Sequence, residues 1–575
     1  MLSLVLVLSP ARAYDPVADA VAVHVSAGGL DRIGGAVAEA MPRAFPVGAI
    51  VGAFACDDAD PTNTLDLTMD ALTLGIHVDD VALVPSDGRL DITVTGTLDS
   101  SAATLTTIGD CSPLVDLDEA CAVQLPAVGF TAHVGMTMAL VDGVVDAVVD
   151  DVSLALPPIN NPLDGCTFAS AVGAMLGQDP YAITNLLTAQ IEPQLADLGP
   201  TLEAAVENGL AALNLTTSVA VGAASIDVTL APTTLDVNDD GLIIGLGATI
   251  APTAVSDCVA AGTPPRGDGI FPPLTGTAPD GALTYDAAVL VNKQLVDQLL
   301  YAVYEAGGLC IGEAGVSGAD LGGIALTTAL FSPVFGEAWA ALFPVEQPVT
   351  LLVRPPTAPT VRFSADGAPI RIQLNGLLLR AFSMIDARMA KAFGIGIGGE
   401  VGLDVPFADG VITPALWIDA DAMGMVEEDH EFLPEGYAAG LGDLLPTLLG
   451  AVLPADLLPT FTVPSWQGIG LANLWWIPSD DGAWLGAYAL VDVEDVEPIE
   501  LAGCSGGSIG CDGFSGGETV DLATALGCGE SGCGGESGCG GDSGCGGSSG
   551  CATVAVRPAL FGLALLAAVL RRRRL

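Results

Sequence analysis

The sequence predicts an α+β fold of two similar halves, each a long amphipathic helix packed on a curved antiparallel sheet, joined by a central linker. Three observations predict it. A strand-to-helix junction is written twice, long segments alternate apolar and polar residues, and a Pro/Gly-rich stretch divides those segments into two sets. The chain has 575 residues, of which 51% are hydrophobic and only 5% aromatic. That length gives room for two domains with largely aliphatic cores.

The opening "MLSLVLVLSPARAYDP" combines an apolar run, Leu2 to Leu8, with the small-residue site Ala11-Arg12-Ala13. It reads as a signal peptide over 1–13 with Tyr14 as the mature start. The missing positive n-region points to a start codon further upstream.

The first junction is "VHVSAGGLDRIGGAV", Val23 to Val37. Ser26 can cap a helix through its side-chain oxygen, and Leu30, Ile33 and Val37 then follow on one helical face. The second is "VLVNKQLVDQLLYAV", Val289 to Val303. There Asn292 is the cap, and Val296, Leu299 and Val303 fall at the same offsets. The pairing predicts a duplicated architecture.

Strand alternation runs through Thr62 to Thr97, with an Asp87-Gly88 hairpin turn, then Phe130 to Leu156 and Ser218 to Ile250. Between the last two, an apolar stripe from Ile183 to Leu210 predicts a helix, kinked or split at Pro193 and Gly199-Pro200. The stretch "TPPRGDGIFPPLTGTAPDG" has linker composition. A second set of elements follows: a helix over Asn292 to Ala306, strands over Val349 to Ile372 and Ile395 to Ile418, a helical segment near Gly440 to Leu453, and closing strands through Trp475-Trp476. The expected organisation is an N-terminal unit 14–262, a linker 263–280, a C-terminal unit 281–500, a spacer 501–550 and a sorting or anchor segment 551–575.

Charge narrows the partners. Acidic residues number 69 against 17 basic ones, a formal net charge of −52. Such a surface repels nucleic acid, and anionic lipid head groups too unless a cation mediates. Six cysteines lie in the globular body: Cys56, Cys111, Cys121, Cys166, Cys258 and Cys310. An even number in an exported chain predicts disulfides, with Cys111–Cys121 the first expected pair and the other pairings open.

After the Gly/Ser/Cys repeat come an apolar run, Pro558 to Leu570, and the cluster Arg571 to Arg574. A helix of that length spans about 20 Å, short of the ~30 Å hydrocarbon core. The tail resembles the myxobacterial-type C-terminal sorting signal. That resemblance implies processing at Cys551 and a mature protein fixed to the outer membrane or cell surface.

Motifs with catalytic or metal-binding overtones lack their structural context. "GFSGG" (Gly513 to Gly517) and "GDSG" (Gly541 to Gly544) sit in the Gly/Ser/Cys-rich tail, not in a strand–turn–helix. "DVNDDG" (Asp236 to Gly241) begins like a calcium loop but has Gly247 where the bidentate glutamate belongs, so a hairpin turn is expected. "FGIGIGGEVG" lacks βαβ context and reads as curved strand. His24, His77, His133 and His430 show no local metal spacing. No catalytic residue, metal site or cofactor is expected.

The first junction, the linker, "LLYAVYEAGGLCI" (Leu299 to Ile311) and "LPTFTVPSWQGIGLANLWW" resemble the bactericidal/permeability-increasing and lipid-transfer proteins of the tubular lipid-binding (TULIP) superfamily. The resemblance spans roughly Asp19 to Asp492. It implies two pseudo-symmetric elongated TULIP-like barrels, each with an apolar pocket for acyl chains. The lipopolysaccharide-binding relatives use a basic N-terminal tip; this N-terminal half is acidic, so endotoxin binding by that route, and ligand identity, are not carried over. The expected function is binding, and in one form transfer, of lipids or similar apolar ligands, with no enzymatic step. Leu30, Ile33, Val37, Val296, Leu299 and Val303 are the candidate pocket residues. The alternative is a surface structural or adhesion protein with filled barrels; an esterase ranks third.

Overall fold

The structure is a computed structural model. It describes residues 14–40, 43–47, 50–55, 64–69, 72–108, 119–124, 126–157, 200, 203–204, 206–207, 210–211, 213–221, 224–260, 262–266, 271–316, 326–408, 410–418, 423–429, 432–442, 461–462 and 469–493.

Antiparallel strands dominate. The chain begins with β1 (Val17–Ser26), β2 (Ala44–Val47), β3 (Ile50–Ala55), β4 (Thr64–Met69) and β5 (Leu72–Ser86). Next come β6 (Arg89–Ser100), β7 (Ala103–Ile108), β8 (Glu119–Val123), β9 (Val128–Val141) and β10 (Val144–Ala155). Then follow β11 (Leu215–Val221), β12 (Ala224–Asn238), β13 (Gly241–Pro252), β14 (Ala287–Asn292) and β15 (Ile311–Val316). Strands β16 (Thr350–Arg354), β17 (Thr360–Phe363), β18 (Ile370–Ile385), β19 (Arg388–Asp404) and β20 (Phe407–Ala408) build most of the second half. The last are β21 (Val411–Ile412), β22 (Ala415–Ile418), β23 (Gly424–Asp429), β24 (Phe461–Thr462), β25 (Ile469–Pro478) and β26 (Trp484–Val493). Three α-helices, α1 (Ala27–Ala40), α2 (Lys293–Glu305) and α3 (Thr328–Leu342), and a 3-10 helix, Tyr437–Leu441, are defined among the described residues.

The two junctions meet in the middle of one seven-stranded sheet, ordered β11-β12-β13-β1-β14-β26-β25. Strands β1 and β14 are its central antiparallel pair, with Val23 opposite Val289. Each is flanked outward by a hairpin, β12–β13 on one side and β25–β26 on the other. Apart from β11, the order therefore reads the same from either edge, one half supplying each side.

The cap residues join the halves as well as starting the helices. Ser26 Oγ accepts from the Gly29 amide at 3.0 Å and donates to the Tyr285 carbonyl at 2.8 Å. Asn292 Oδ1 accepts from the Gln294 amide at 2.9 Å, while Asn292 Nδ2 donates to the Asp19 carbonyl at 3.0 Å. Each cap thus satisfies one orphan helix donor and one backbone acceptor of the other half. Both are buried, so their polar atoms have to be paired within the protein.

Beside Ser26, His24 is wholly buried. Its Nδ1 lies 2.7 Å from the Tyr285 hydroxyl and its Nε2 3.2 Å from the Asp240 carbonyl oxygen. A carbonyl oxygen only accepts, so Nε2 carries the proton and the tyrosine donates to Nδ1. Burial pushes the imidazole pKa down to about 4, against a smaller opposing pull from Asp240. Asp286 completes the polar seam: its Oδ2 accepts from the Val491 amide and pairs with Arg32.

Both faces of the central sheet are covered. On one, Ala22, Leu290, Trp484 and Tyr488 pack under Leu274 and Ala278 of the Pro/Gly-rich segment and under Tyr285 just after it. On the other, Val21, Val23, Ile244 and Leu246 meet Met136 and Met138 of β9, together with Tyr301 to Tyr304 of α2. A Cys258–Cys310 disulfide ties the end of the first half to the segment following α2. The expected Cys111–Cys121 pair lies outside the described side chains.

The second half has its own core. Helix α3 presents Phe331, Phe335 and Trp339 to Phe393, Ile395 and Ile397 of β19, with Tyr437 closing the group. Phe331, Phe393 and Trp339 are at most 1% exposed. Sequence reading did not anticipate α3, because Pro333 and a Gly336 with φ of 61° interrupt its helical pattern. The four-residue spacing of Phe331, Phe335, Trp339 and Phe343 was the available signal, and packing of that aromatic face outweighs the breakers.

Other expectations match in place. The Asp87-Gly88 turn joins β5 to β6, with Gly88 at a φ of 72°. Asp239 and Asp240 form the turn between β12 and β13, where the Asp240 amide donates to Asn238 Oδ1. The Ile183 to Leu210 stripe lies outside the described residues except near its end, where Leu210 is buried in the central core. Much of the Gly440 to Leu453 segment also falls outside.

Candidate ligand site on the first sheet

Strands β10-β9-β6-β5-β2 form a five-stranded sheet whose cross-strand rows are apolar on one face. One row is Val81, Val94, Ala132 and Leu154; the next is Leu83, Ile92, Val134 and Val152. Alternation puts charge on the opposite face, with one-residue register shifts at Asp79 in β5 and Asp150 in β10. There Arg89 pairs with Asp91 at 2.7 Å and with Asp150 at 2.6 Å, and Thr137 Oγ1 donates to Asp150. The Thr137 hydrogen bond, followed by Arg89, lowers the Asp150 pKa. The sheet therefore has an oil-like inner side and an aqueous outer side.

Helix α1 lies against β5 on the apolar face. Two glycines bring it close. A Cβ at Gly34 would stand 2.0 Å from the Val81 carbonyl oxygen and 3.6 Å from the Leu83 side chain. A Cβ at Gly29 would stand 2.2 Å from the Asp286 carbonyl oxygen. The helix is thus wedged between the first sheet and the lead into β14. Along it Leu30 is buried, while Ile33 and Val37 are half-buried.

The floor beyond α1 is less covered. Ile92, Val94, Leu98, Phe130, Val134 and Val152 are only half-buried. The same face becomes fully buried where Met136, Met138, Val145 and Ala147 enter the central core. Along the edge strand β10, Glu203 Oε1 accepts from the Val149 amide at 2.7 Å and Glu207 Oε1 from the Ala147 amide at 3.4 Å. Those carboxylates occupy edge donors that would otherwise invite another strand.

The candidate residues of α2 separate into two environments. Val296 packs with Leu300, Trp476, Val361, Phe363 and Leu485, whereas Leu299 and Val303 pack with the central core. The floor residues on β6, β9 and β10 were missed in sequence reading. Their signal was the register of three alternating strands, which places Ile92 and Val134 opposite each other once the pairing is known.

Among the described residues near this face, the histidines pair with carboxylates on its polar side. His133 lies on the polar side, 3.7 Å from both Asp91 and Asp151, and His77 stands 3.5 Å from Asp79. Among the described residues no three His, Cys, Asp or Glu side chains converge as a metal site, and no helix is long and apolar enough to cross a membrane. His430, Cys551 and the tail motifs lie outside the described residues.

No protein-family profile and no curated protein matches the chain. Among solved structures it is similar to a crystal structure of lipopolysaccharide binding protein, at 14% identity and a TM-score of 0.48, covering 83% of this chain and 100% of the other. It is also similar to P47 of Clostridium botulinum E1, at 9% identity and a TM-score of 0.24, with the same coverages. Both TM-scores lie below 0.5, and neither likeness bears on function. The chain's own geometry establishes a mostly antiparallel β fold with few helices, its halves joined through one shared sheet.

Proposed function

We propose that the protein binds a lipid or similar apolar molecule on the inner face of the first sheet, beside α1. One observation carries this reading: a contiguous apolar floor across β6, β9 and β10 stays half-buried, whereas Met136, Met138, Val145 and Ala147 further along the same face are buried in the central core. Binding there works by burial and needs no reacting group. At about 0.8 kcal/mol per CH₂ withdrawn from water, a sixteen-carbon chain gains roughly 12 kcal/mol before the costs of association. An acidic exterior does not oppose such a ligand, whose apolar part carries no charge.

In this reading the two halves are TULIP-like barrels sharing the central sheet, and export and surface tethering through Cys551 place the protein where it meets its cargo. The aromatic core under α3 favours a different role for the second half. Its rings interlock, with Phe335 and Trp339 centroids 5.0 Å apart and Trp339 and Phe343 4.5 Å apart. There the structural reading, a filled scaffold, fits better.

Native mass spectrometry of the chain purified without detergent, followed by lipid extraction, tests carriage. Near-stoichiometric acyl lipid supports the proposal. A clean apo mass that ignores added lipids transfers the whole molecule to the structural reading.

A further inference from the structure

The glycine-rich stretch "FGIGIGGEVG", Phe393 to Gly402, forms the middle of β19. Its residues divide by face. Phe393, Ile395, Ile397 and Val401 enter the core beneath α3. Gly394, Gly396, Gly398, Glu400 and Gly402 alternate with them on the opposite face.

Neighbouring side chains fill this outer floor only at its ends. At one end Arg380 and Glu428 pair over Gly394, where a Cβ would stand 2.6 Å from Glu428 Oε2. At the other, Trp417 of β22 lies over Gly402, where a Cβ would stand 2.8 Å from the indole Cε3. Between them the floor is bare. A Cβ would meet nothing closer than 3.7 Å at Gly396 or at Gly424 of β23, and nothing closer than 3.5 Å at Gly398. None of these three glycines has a positive φ. Backbone and packing would accept a side chain at each, and glycine weakens a strand. The absent side chains therefore keep space open outside the sheet. With Leu378 and Val426 as walls, that space is a shallow groove of about 460 Å³. Small-ligand sites typically enclose roughly 300–1,000 Å³.

The groove runs on toward polar and aromatic side chains. Arg362 and Arg371 share Glu400, at 3.0 and 3.5 Å, and the exposed Gln373 stands opposite Glu400 across the strands. Trp417 is 47% exposed, with its covered side against Gly402. From Gly396 to Gly402 the strand advances about 20 Å, so floor, polar cluster and indole follow one line.

We propose that this groove binds a linear neutral glycan. A sugar ring has a C–H face that rests on an indole or on bare backbone, and a rim of hydroxyls that donate and accept. Trp417 and the glycine floor serve the face; Arg362, Arg371, Glu400 and Gln373 serve the rim. Hydroxyls turned outward stay in water, so a shallow groove suffices. An acyl chain would remain largely wet there and gain little from burial. An extended peptide adds to the edge of a sheet, not to its face. Glu427 and Glu428 beside the floor oppose an anionic ligand.

Isothermal titration of the full chain with cellohexaose, chitohexaose, maltohexaose and mannohexaose tests the groove. Saturable binding of at least one is expected, and it should change little between low and high salt. Trp417→Ala, and separately Gly398→Val, should each weaken it about tenfold or more while leaving co-purified acyl lipid unchanged, which separates this surface from the interior site. The tryptophan is exposed and outside the buried cores, so its variant carries the test even where the valine disturbs the sheet. Silence toward all four sugars overturns the proposal, as does binding that survives both substitutions. Hexadecanoate binding that Trp417→Ala removes would assign the groove to an acyl chain and overturn it equally.

Discussion

Acid should weaken the seam between the halves through His24. Unfolded, this histidine titrates near pH 6.5; folded, burial holds its pKa at about 4. The folded-state value is the lower one, so the neutral ring's contribution is complete above about pH 6.5 and is lost as pH falls toward 4. A difference of about 2.5 units at 1.36 kcal/mol each makes this about 3 kcal/mol. Protonation also removes the acceptor at Nδ1, leaving the Tyr285 hydroxyl to find another partner.

The many carboxylates titrate over the same range, so the measurement must be a difference. His24→Gln provides the reference, because an amide can donate toward Asp240 and accept from Tyr285 without gaining charge. Urea unfolding with pulsed hydrogen exchange, read on the β1 peptide at pH 7, 5.5 and 4, gives the stability of wild type and variant. The wild-type value should fall by about 3 kcal/mol more than the variant's between pH 7 and 4. A constant difference would refute the assignment of a buried neutral histidine to this seam.

Three further outcomes follow from the same geometry. Ser26→Ala and Asn292→Ala should each cost about 2 kcal/mol, since each strips a helix cap and leaves a carbonyl of the other half unpaired; urea midpoints check this. Replacing both Cys258 and Cys310 by alanine should cost about 4 kcal/mol from loop closure over a separation of 52 residues, read in the same unfolding assay. Gly34→Val should drive α1 off β5, because even a Cβ there stands 2.0 Å from the Val81 carbonyl; increased exchange of β5 amides together with reduced lipid content would register it.

The repeated junction was legible because caps and helical stripes are local: Ser26 and Asn292 could be named from spacing alone. Their reach into the opposite half was not, since the Tyr285 and Asp19 carbonyls become neighbours only when β1 pairs with β14. Long strands and the Asp87-Gly88 turn were equally visible, each carrying its own alternation and turn chemistry. The site was harder to read. Leu30, Ile33 and Val37 lie on a helix whose face is written in the sequence, but the floor opposite depends on the register of β6, β9 and β10. Helix α3 was hidden by local breakers that tertiary packing overrides.

The proposed site is tested most directly by loading the protein with a diazirine-bearing fatty acid, irradiating it and mapping the adducts. Labelling should concentrate on β6, β9 and β10, at Ile92, Val94, Leu98, Phe130, Val134 and Val152, and should spare Phe331, Trp339 and Phe393. Adducts on the α3 core with none on the first sheet, or no saturable labelling at all, would contradict the account.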